Sequence, residues 1–476
     1  MRGNSDPEER SSGCKGMGVT ANLAGRLAEA IGAKRVVAAE EELAAYAVDG
    51  VTPSAIVRPT SAEETAEVVR FAVAEKLALL ACGSRSKCEL GMSPSRYDIA
   101  VDMTGLREIA HFDAGDLTLS VDAGMPLREL EGYLKQKAQF LPLAVPCFES
   151  TTAGGAIASG IDSALRLQYG SARDFLIGAE FVDGTGQLCK SGGRVVKNVT
   201  GYDLHKLLIG SLGTLGVITR VNFRTFPLPA TFGGHLAGFG DSQGALKYRK
   251  TLETAGLPLA NLEVFSPSVA EMIRAILQKS EGGVPPELER EEWCVYSSFE
   301  GDEAVVRRIA GDLVRIARET GAVQSRILET AEDESLGGML RESFEWLRWA
   351  SPANVIYRLA LLEVKMEILA ELLQLAKSVG LRAALLVRAA GVVYFAVFAE
   401  GEDEAAIAPL TNSIRGVSSL ALKDKAPVTL LHAPFRIKQN GGGNCTTDTD
   451  RDLQQRVKQA FDPTGVFAPG RVTGGI

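Results

Sequence analysis

The chain has 476 residues, of which 46% are hydrophobic and 23% charged, the balance of a folded globular protein long enough for two or more domains. A formal net charge of −8 and a pI near 5.4, with no local run of Lys or Arg, exclude nucleic acid and other acidic polymers as partners. The 7 cysteines are an odd set without CxxC or paired Cys/His spacing, which excludes a disulfide framework and a zinc or iron–sulfur site and makes the cytoplasm the expected compartment.

Residues 1–20 are polar and lack the apolar h-region of a secretory signal, so they are expected to form a disordered tail. Ser61 and Glu64 make an S-x-x-E capping box, and Thr65 with apolar residues at 68, 69, 72 and 73 predicts a helix to about Lys76. A buried strand, LALLAC, follows and ends in the loop CGSRSKCELGM. DIAVDM and LTLSVDAG read as strands, and Pro126 opens a helix, PLRELEGYLKQK, as its first residue. After the small, glycine-dense TTAGGAIASG, the segment FLIGAEFVDGTGQL reads as two strands joined by a tight turn at Asp183 and Gly184. TGYDLHKLLIG is expected to be a short helix, and LGVITRVNFRTFPLP a strand closed by Pro227 and Pro229. There the glycine density falls and longer charged helices begin, which places a domain boundary near residue 230. Between 235 and 420, WCVYSSF, NVIYRLAL, RAALLVRAA and VVYFAVF alternate as strands with amphipathic helices at 302–319, 362–379 and 402–416, an α/β or α+β sandwich. The remainder holds GGGN as a linker, a helix DLQQRVKQAF and a turn-rich end DPTGVFAPGRV. The longest weakly charged run, Leu207 to Thr219, is too short and too rich in glycine to cross a bilayer, so no direct membrane insertion is expected.

Six glycines fall in the thirty residues from Gly192 to Val221. Each costs roughly 0.5–1 kcal/mol inside an element, so they belong where the backbone takes a positive φ or approaches something closely. A triphosphate cradle does not account for them: in GTGQLCKS, Gly184 to Ser191, Cys189 stands in the place of the second glycine, and GGRVV behind it is no helix. A Rossmann site fails as well, since no G-x-G-x-x-G lies between a strand and a long helix. The loop CGSRSKCELG follows a strand and offers consecutive small residues whose N–H groups suit an anion-binding nest, with Lys87 adding charge; its plainer reading is a polar surface turn.

Taken together, CGSRSKCELG, TTAGGAIASG, YGSARD and GSLGTLGVIT resemble, in order and spacing, the PCMH-type FAD-binding fold of the vanillyl-alcohol oxidase and D-lactate dehydrogenase group. GGRVVKNVTGYDLHKLLIGSLGTLGVIT and the terminal FDPTGVFAPGR look like hallmark stretches of the second, shorter flavin subunit of bacterial glycolate oxidase. The likeness is strong over residues 50–230, moderate from 427, and only in outline between them. It implies an α+β protein: a two-lobed PCMH-type FAD-binding domain over 21–230, an α/β cap domain over 231–425, and a C-terminal helical segment, 426–476, that returns to the FAD domain. FAD would lie in the cleft between the lobes. By that likeness Gly83, Ser84, Arg85, Ser86 and Lys87 lie against the pyrophosphate. Pro146, Thr152, Gly154, Gly155, Ser159 and Gly160 would line the ribityl chain and ring with Gly170 near them, and Gly213, Gly216 and Ile218 would flank the adenine end.

Two departures bear on function. Arg85 stands where the family's loop is usually glycine, and because a guanidinium suits a phosphate fork it is expected to bind rather than block. The catalytic flavin subunits of the group carry a histidine-rich motif for a metal and the hydroxy acid, whereas the 4 histidines here, at 111, 205, 235 and 432, are unclustered and no metal is expected. RAAGVVYFAV occupies the corresponding strand. Arg388, His432 and Arg436 are the polar candidates for catalysis, each with a structural contact in the cap as its plainer role. Without a base near the flavin, removal of an α-proton is hard to arrange. The resemblance therefore implies an FAD-binding subunit of a multi-subunit 2-hydroxy-acid dehydrogenase, for glycolate or D-lactate. It would relay electrons between flavin and an iron–sulfur subunit beside a catalytic flavoprotein subunit, and would be peripheral to the membrane only through these partners. A docking subunit with a degenerate flavin site and a free-standing FAD-dependent alcohol or hydroxy-acid oxidase are the alternatives. Covalent flavin attachment through Cys82, Cys88 or Cys147 has no motif behind it.

Overall fold

The computed structural model describes residues 14–195, 201–279, 284–439 and 448–472. A helix, Cys14–Ile31, begins inside the stretch expected to be a disordered tail, whose residues 1–13 lie outside the described residues. Residues 196–200 of the glycine-rich hallmark segment and the GGGN linker lie outside them too.

Helix Ala62–Glu75 starts where the Ser61 hydroxyl accepts the Glu64 N–H at 3.1 Å, and it stops where Lys76 turns left-handed. The capping box is not reciprocal, because the Glu64 carboxylate accepts the Thr60 N–H at 2.7 Å and pairs with Arg35 instead. Val68, Val69 and Ala72 of this helix cover a four-stranded sheet. Strands Ala55–Val57, Ile99–Asp102 and Leu79–Cys82 run parallel in it, and Val36–Val37 pairs antiparallel at one edge.

The second lobe is a five-stranded antiparallel sheet centred on Val217–Arg224, between Thr118–Asp122 and Leu176–Val182. Leu176–Val182 and Leu188–Gly192 form the expected hairpin, its turn fixed by Asp183 Oδ1, which accepts the N–H groups of Thr185 and Gln187. Val121, Phe181, Val221 and Phe223 of this sheet share a core with helices Leu127–Lys135 and Ala153–Ser159. Pro126 is the N-cap of the first of these helices, not its first turn, and the helix expected in TGYDLHKLLIG is a single 3-10 turn, Leu204–Leu207.

From Thr231 the chain builds a cap around an eight-stranded sheet in which every pairing is antiparallel. Alternation of strand and helix in sequence is also the mark of a parallel α/β unit, so the sequence pattern does not separate the two. Strands Leu259–Phe265 and Val392–Ala399 are buried along their whole length because helices cover both faces. Ser242–Ala255, Glu303–Glu319, Met366–Ser378 and Glu404–Lys423 pack on one face. Pro267–Leu277, Thr330–Arg341 and Ser343–Arg348 pack on the other, where Leu90 and Ile161 of the first domain join the same apolar cluster and make it the domain interface.

The tail then returns. After helix Asp448–Phe461, the Leu79 N–H donates to Val466 O at 2.8 Å and the Ala468 N–H to Leu79 O at 2.7 Å, so the tail extends the parallel sheet of the first lobe. The Lys458 ammonium fixes it there by donating to Thr214 O at 2.7 Å, Phe467 O at 2.8 Å and Asp462 Oδ2 at 2.6 Å.

His235 gives the cap a pH dependence. It is fully buried, contacts Ser325 Oγ at 2.8 Å through Nε2, and is pushed down to about 4 by burial. Below pH 6.5 the unfolded chain takes up a proton that the native state refuses, so this contribution to stability is present above 6.5 and is lost as pH falls toward 4. The loss is on the order of 3 kcal/mol for such a shift. Urea unfolding of His235→Gln is expected to show a shallower decline between pH 7 and 4.5 than the unsubstituted chain; parallel declines would refute the assignment.

Candidate functional site

The loop after Leu79–Cys82, the start of helix Ala153–Ser159 and the start of strand Val217–Arg224 together line one narrow cavity. The walls approach so closely that side chains do not fit. A Cβ on Gly83 would stand 2.2 Å from Thr152 Oγ1 and 2.8 Å from its Cγ2, and one on Gly154 would stand 2.7 Å from Ala123 Cβ. Thr152 is itself held, as the N-cap whose Oγ1 accepts the Gly155 N–H at 3.2 Å. The glycines thus let the two lobes close around a thin slot.

Of the residues that the resemblance assigns to the cofactor, Gly83 and Lys87, Thr152, Gly154, Gly155 and Ser159, and Gly213, Gly216 and Ile218 line this cavity. Arg85 and Ser86 line a neighbouring cavity on the other side of the same loop. Ser84, Pro146, Gly160 and Gly170 line neither; Gly160 and Gly170 end short helices at φ 61° and 79°, where glycine is favoured for the turn itself. Arg85 takes φ 67°, so the backbone there has the conformation of the glycine it replaces, and its guanidinium lies over the Tyr46 ring at 4.2 Å.

Two cations flank the slot, one half-buried and one fully buried. Lys87 Nζ donates to Thr151 Oγ1 and lies 3.5 Å from Ser86 Oγ; burial pushes its pKa down to about 8, against the pull of Cys147, Glu342 and Glu345. Arg471, from the tail, is 2% exposed and gives Nη2 to Leu90 O at 2.5 Å, while its Nε and Nη1 have no hydrogen-bond partner among the described residues. A guanidinium buried with two idle donors beside a cavity is arranged for an anion, since such donors are costly to leave unmet. Slot, amides and cations together fit a long flat cofactor carrying a diphosphate. Sequence reasoning missed Arg471, whose signal was the arginine of APGRV in a tail already expected to return to this domain.

The catalytic candidates do not converge on the cavity. Arg388 is fully buried with Nε on Glu263 Oε1 at 2.7 Å, Nη1 on Asp162 O at 3.0 Å and Nη2 on Leu340 O at 2.9 Å, its guanidinium over the Tyr394 ring. His432 has Nδ1 unpartnered and is pushed down to about 3 by burial, then by Lys438 and Arg348. Arg436 is exposed on Phe435–Gln439. A different polar group does meet the cavity's edge: helix Ser343–Arg348 and the residue before it bring Glu345 to Cys147 Sγ at 3.2 Å and Glu342 to the Cys147 N–H at 2.5 Å, both near Lys87. Among the described residues no group of three or more His, Cys, Asp or Glu is placed to hold a metal ion.

Residues 53–192 match the FAD binding domain family, and residues 235–472 match the C-terminal domain of FAD linked oxidases. Glycolate oxidase subunit GlcE of Escherichia coli is 37% identical over 164 residues, 34% of this chain and 46% of that one, so the match spans less than half of that relative. Glycolate oxidase subunit GlcD of Bacillus subtilis is 24% identical over 415 residues, 86% of this chain and 76% of that one. The solved structure of 4-ethylphenol oxidase from Gulosibacter chungangensis superposes with a TM-score of 0.75 at 16% identity, covering 97% of this chain and 98% of that one, which identifies the fold.

Two substitutions check the slot through FAD released on heating the purified protein. Gly83→Ala is expected to lower bound FAD at least about tenfold, a cost of about 1.4 kcal/mol or more, whereas Gly132→Ala, whose Cβ meets nothing within 4 Å, leaves it unchanged. Arg85→Gly is expected not to raise FAD affinity, because the guanidinium already lies outside the slot; a gain would make Arg85 a block.

Proposed function

The chain belongs to the FAD-linked oxidases, and from that membership we propose that it is the FAD-binding subunit of a multi-subunit 2-hydroxy-acid dehydrogenase, for glycolate or D-lactate. FAD is its cofactor, and the chain is an FAD-dependent oxidoreductase. The observation that carries the placement of the cofactor is Arg471, a buried guanidinium with two unused donors on the wall of a glycine-lined slot.

Bound FAD supplies acceptance of two electrons from a substrate C–H and their onward release. The chain's own residues do the rest. Gly83, Gly154 and Gly155 let main-chain amides reach the ligand, and Lys87 and Arg471 balance the diphosphate charge in a site where burial strengthens both interactions. Met103, Ala123 and Leu212 exclude water from the same walls.

Support for a relay role comes from the cap strand that in catalytic relatives would address the substrate. Its arginine, Arg388, is fully buried, and each of its guanidinium nitrogens already donates to a protein acceptor, Glu263, Asp162 O or Leu340 O, which holds it in the cap and away from a substrate carboxylate. We therefore assign electron transfer to an iron–sulfur subunit, beside a second flavoprotein, as this chain's part. Among the described residues no helix is long and apolar enough to cross a membrane, so contact with one would be made by those partners.

A second reading, a free-standing oxidase, draws on Lys87, whose pKa of about 8 lies where a general base is useful. The two separate by measurement. As a relay subunit, the purified chain releases FAD on heating but does not reduce an artificial acceptor with glycolate or D-lactate until the flavoprotein and iron–sulfur partners are added. As an oxidase it works alone, with a rate that rises with pH through about 8 as the Lys87 amine loses its proton. In either case Arg471→Met is expected to weaken FAD binding by about ten- to a hundredfold, the worth of a charged hydrogen bond, and Arg471→Lys by less; equal FAD affinity in all three proteins would remove Arg471 from the site.

A further inference from the structure

Residues 146–151 form a turn that stands between the cap and the slot. The Thr151 N–H donates to Cys147 O at 2.8 Å. The Thr151 hydroxyl reaches Cys147 O at 2.7 Å and Pro146 O at 3.1 Å, and its oxygen accepts the Lys87 ammonium that lines the slot. The next residue, Thr152, is the N-cap that Gly83 approaches. Cys147 takes φ 53°, a left-handed conformation that a residue other than glycine keeps only where its surroundings hold it there.

The hold comes from the other domain. Glu342 is the residue at which helix Thr330–Arg341 ends and helix Ser343–Arg348 begins, so two helices fix its backbone. Its Oε2 accepts the Cys147 N–H at 2.5 Å and its Oε1 accepts the Phe148 N–H at 3.4 Å. Arg341 orients that carboxylate, donating Nε to Oε1 at 3.1 Å while its guanidinium lies over the Phe148 ring at 4.9 Å. Glu345, one turn on, meets Cys147 Sγ at 3.2 Å. Adhesion between the domains does not need this arrangement, since Leu90 and Ile161 already join the apolar cluster of the cap. A carboxylate given to two successive main-chain N–H groups of a left-handed turn supplies direction instead, through charge-assisted hydrogen bonds.

We propose that Glu342 is a positioning residue for the cofactor: from the cap it holds the Cys147 turn, the turn sets the Thr151 hydroxyl, and that hydroxyl places the Lys87 ammonium in the slot. Docking of the cap and binding of the diphosphate are then one coupled event. Removing the carboxylate frees Cys147 to leave its left-handed conformation, and the carbonyls of Pro146 and Cys147 that fix Thr151 move with it.

This rests on the slot being the FAD site, and the test reads the turn and the cofactor separately. In full-length protein stripped of FAD, hydrogen exchange at the Cys147 and Phe148 amides is expected to quicken at least about tenfold in Glu342→Ala; unchanged exchange would overturn the proposal. FAD affinity is then compared in Glu342→Ala, Lys87→Met and the double variant. Each single substitution is expected to weaken binding at least about fivefold, and the double variant to bind within about twofold of Lys87→Met, because residues acting through one contact are not additive. Glu342→Gln keeps an oxygen for the Cys147 N–H and is expected to lose less than Glu342→Ala. Additive losses, a Lys87→Met protein with unaltered affinity, or a glutamine variant as weak as the alanine one would each overturn the proposal. If the unsubstituted protein bound no FAD, the assignment of the slot would fail and the route to the cofactor with it, while the exchange rates would still decide whether Glu342 holds the turn.

Discussion

At Gly83 the two lobes of the flavin domain approach until one methyl group would sit 2.2 Å from the Thr152 hydroxyl oxygen. That contact sets the width of the slot, because the loop after Leu79–Cys82 on one side and the capped helix Ala153–Ser159 on the other are each fixed by their own hydrogen bonds. Neither can retreat alone. The loop continues strand Leu79–Cys82, which is tied into a parallel sheet on one edge and to the returning tail on the other. The helix cap is tied to the second lobe, where Gly154 packs on Ala123 after strand Thr118–Asp122. A slot bounded by main chain on both sides suits a thin ligand read through amide N–H groups, which is why glycines gather where the chain otherwise reads as core.

The tail completes what the lobes begin. Its sheet pairing with Leu79 and the three acceptors around the Lys458 ammonium carry Arg471 into the cavity wall, some four hundred residues in sequence from the loop it faces. Leaving two guanidinium donors idle in a buried place is costly, and that cost is relieved by an anion. With the cofactor placed as proposed, folding of the tail and binding of the cofactor are coupled, since the ligand lowers the cost of the conformation that brings the tail home.

Much of this was legible in the sequence for identifiable reasons. The Ser61 cap, the Asp183 turn and the strand Val217–Arg224 are local, and their signals lie within a few residues of what they specify. Nine of the residues assigned to the cofactor by resemblance line the slot, because backbone approach imposes glycine and small residues at fixed spacing. What the sequence hid is non-local. Nothing in RAAGVVYFAV announces that Arg388 will find Glu263, or that its strand will pair antiparallel with Leu259–Phe265, since both depend on segments more than a hundred residues apart. Arg85 was misleading in a different way: it breaks the glycine pattern in type but keeps the left-handed backbone, and its side chain leaves the slot for Tyr46.

The distribution of charge separates the cap from the slot. A fully buried ion pair such as Arg388–Glu263 adds little net stability over an apolar pair but strongly penalises loss of either partner, so its value is to fix one arrangement. Burial raises the pKa of Glu263, and Arg388 opposes that rise, so the pair is held by mutual dependence. Lys87 is in the opposite situation: its ammonium touches only neutral hydroxyls directly, and the carboxylates of Glu342 and Glu345 reach it through the neighbourhood of Cys147. A group stabilised by a closed pair is fixed in charge, whereas one held by burial against a looser field can change charge or accept a new partner. Polar chemistry in this chain is therefore available at the junction of loop and cap helix, beside the slot, and is closed off at the cap strand by the Arg388–Glu263 pair.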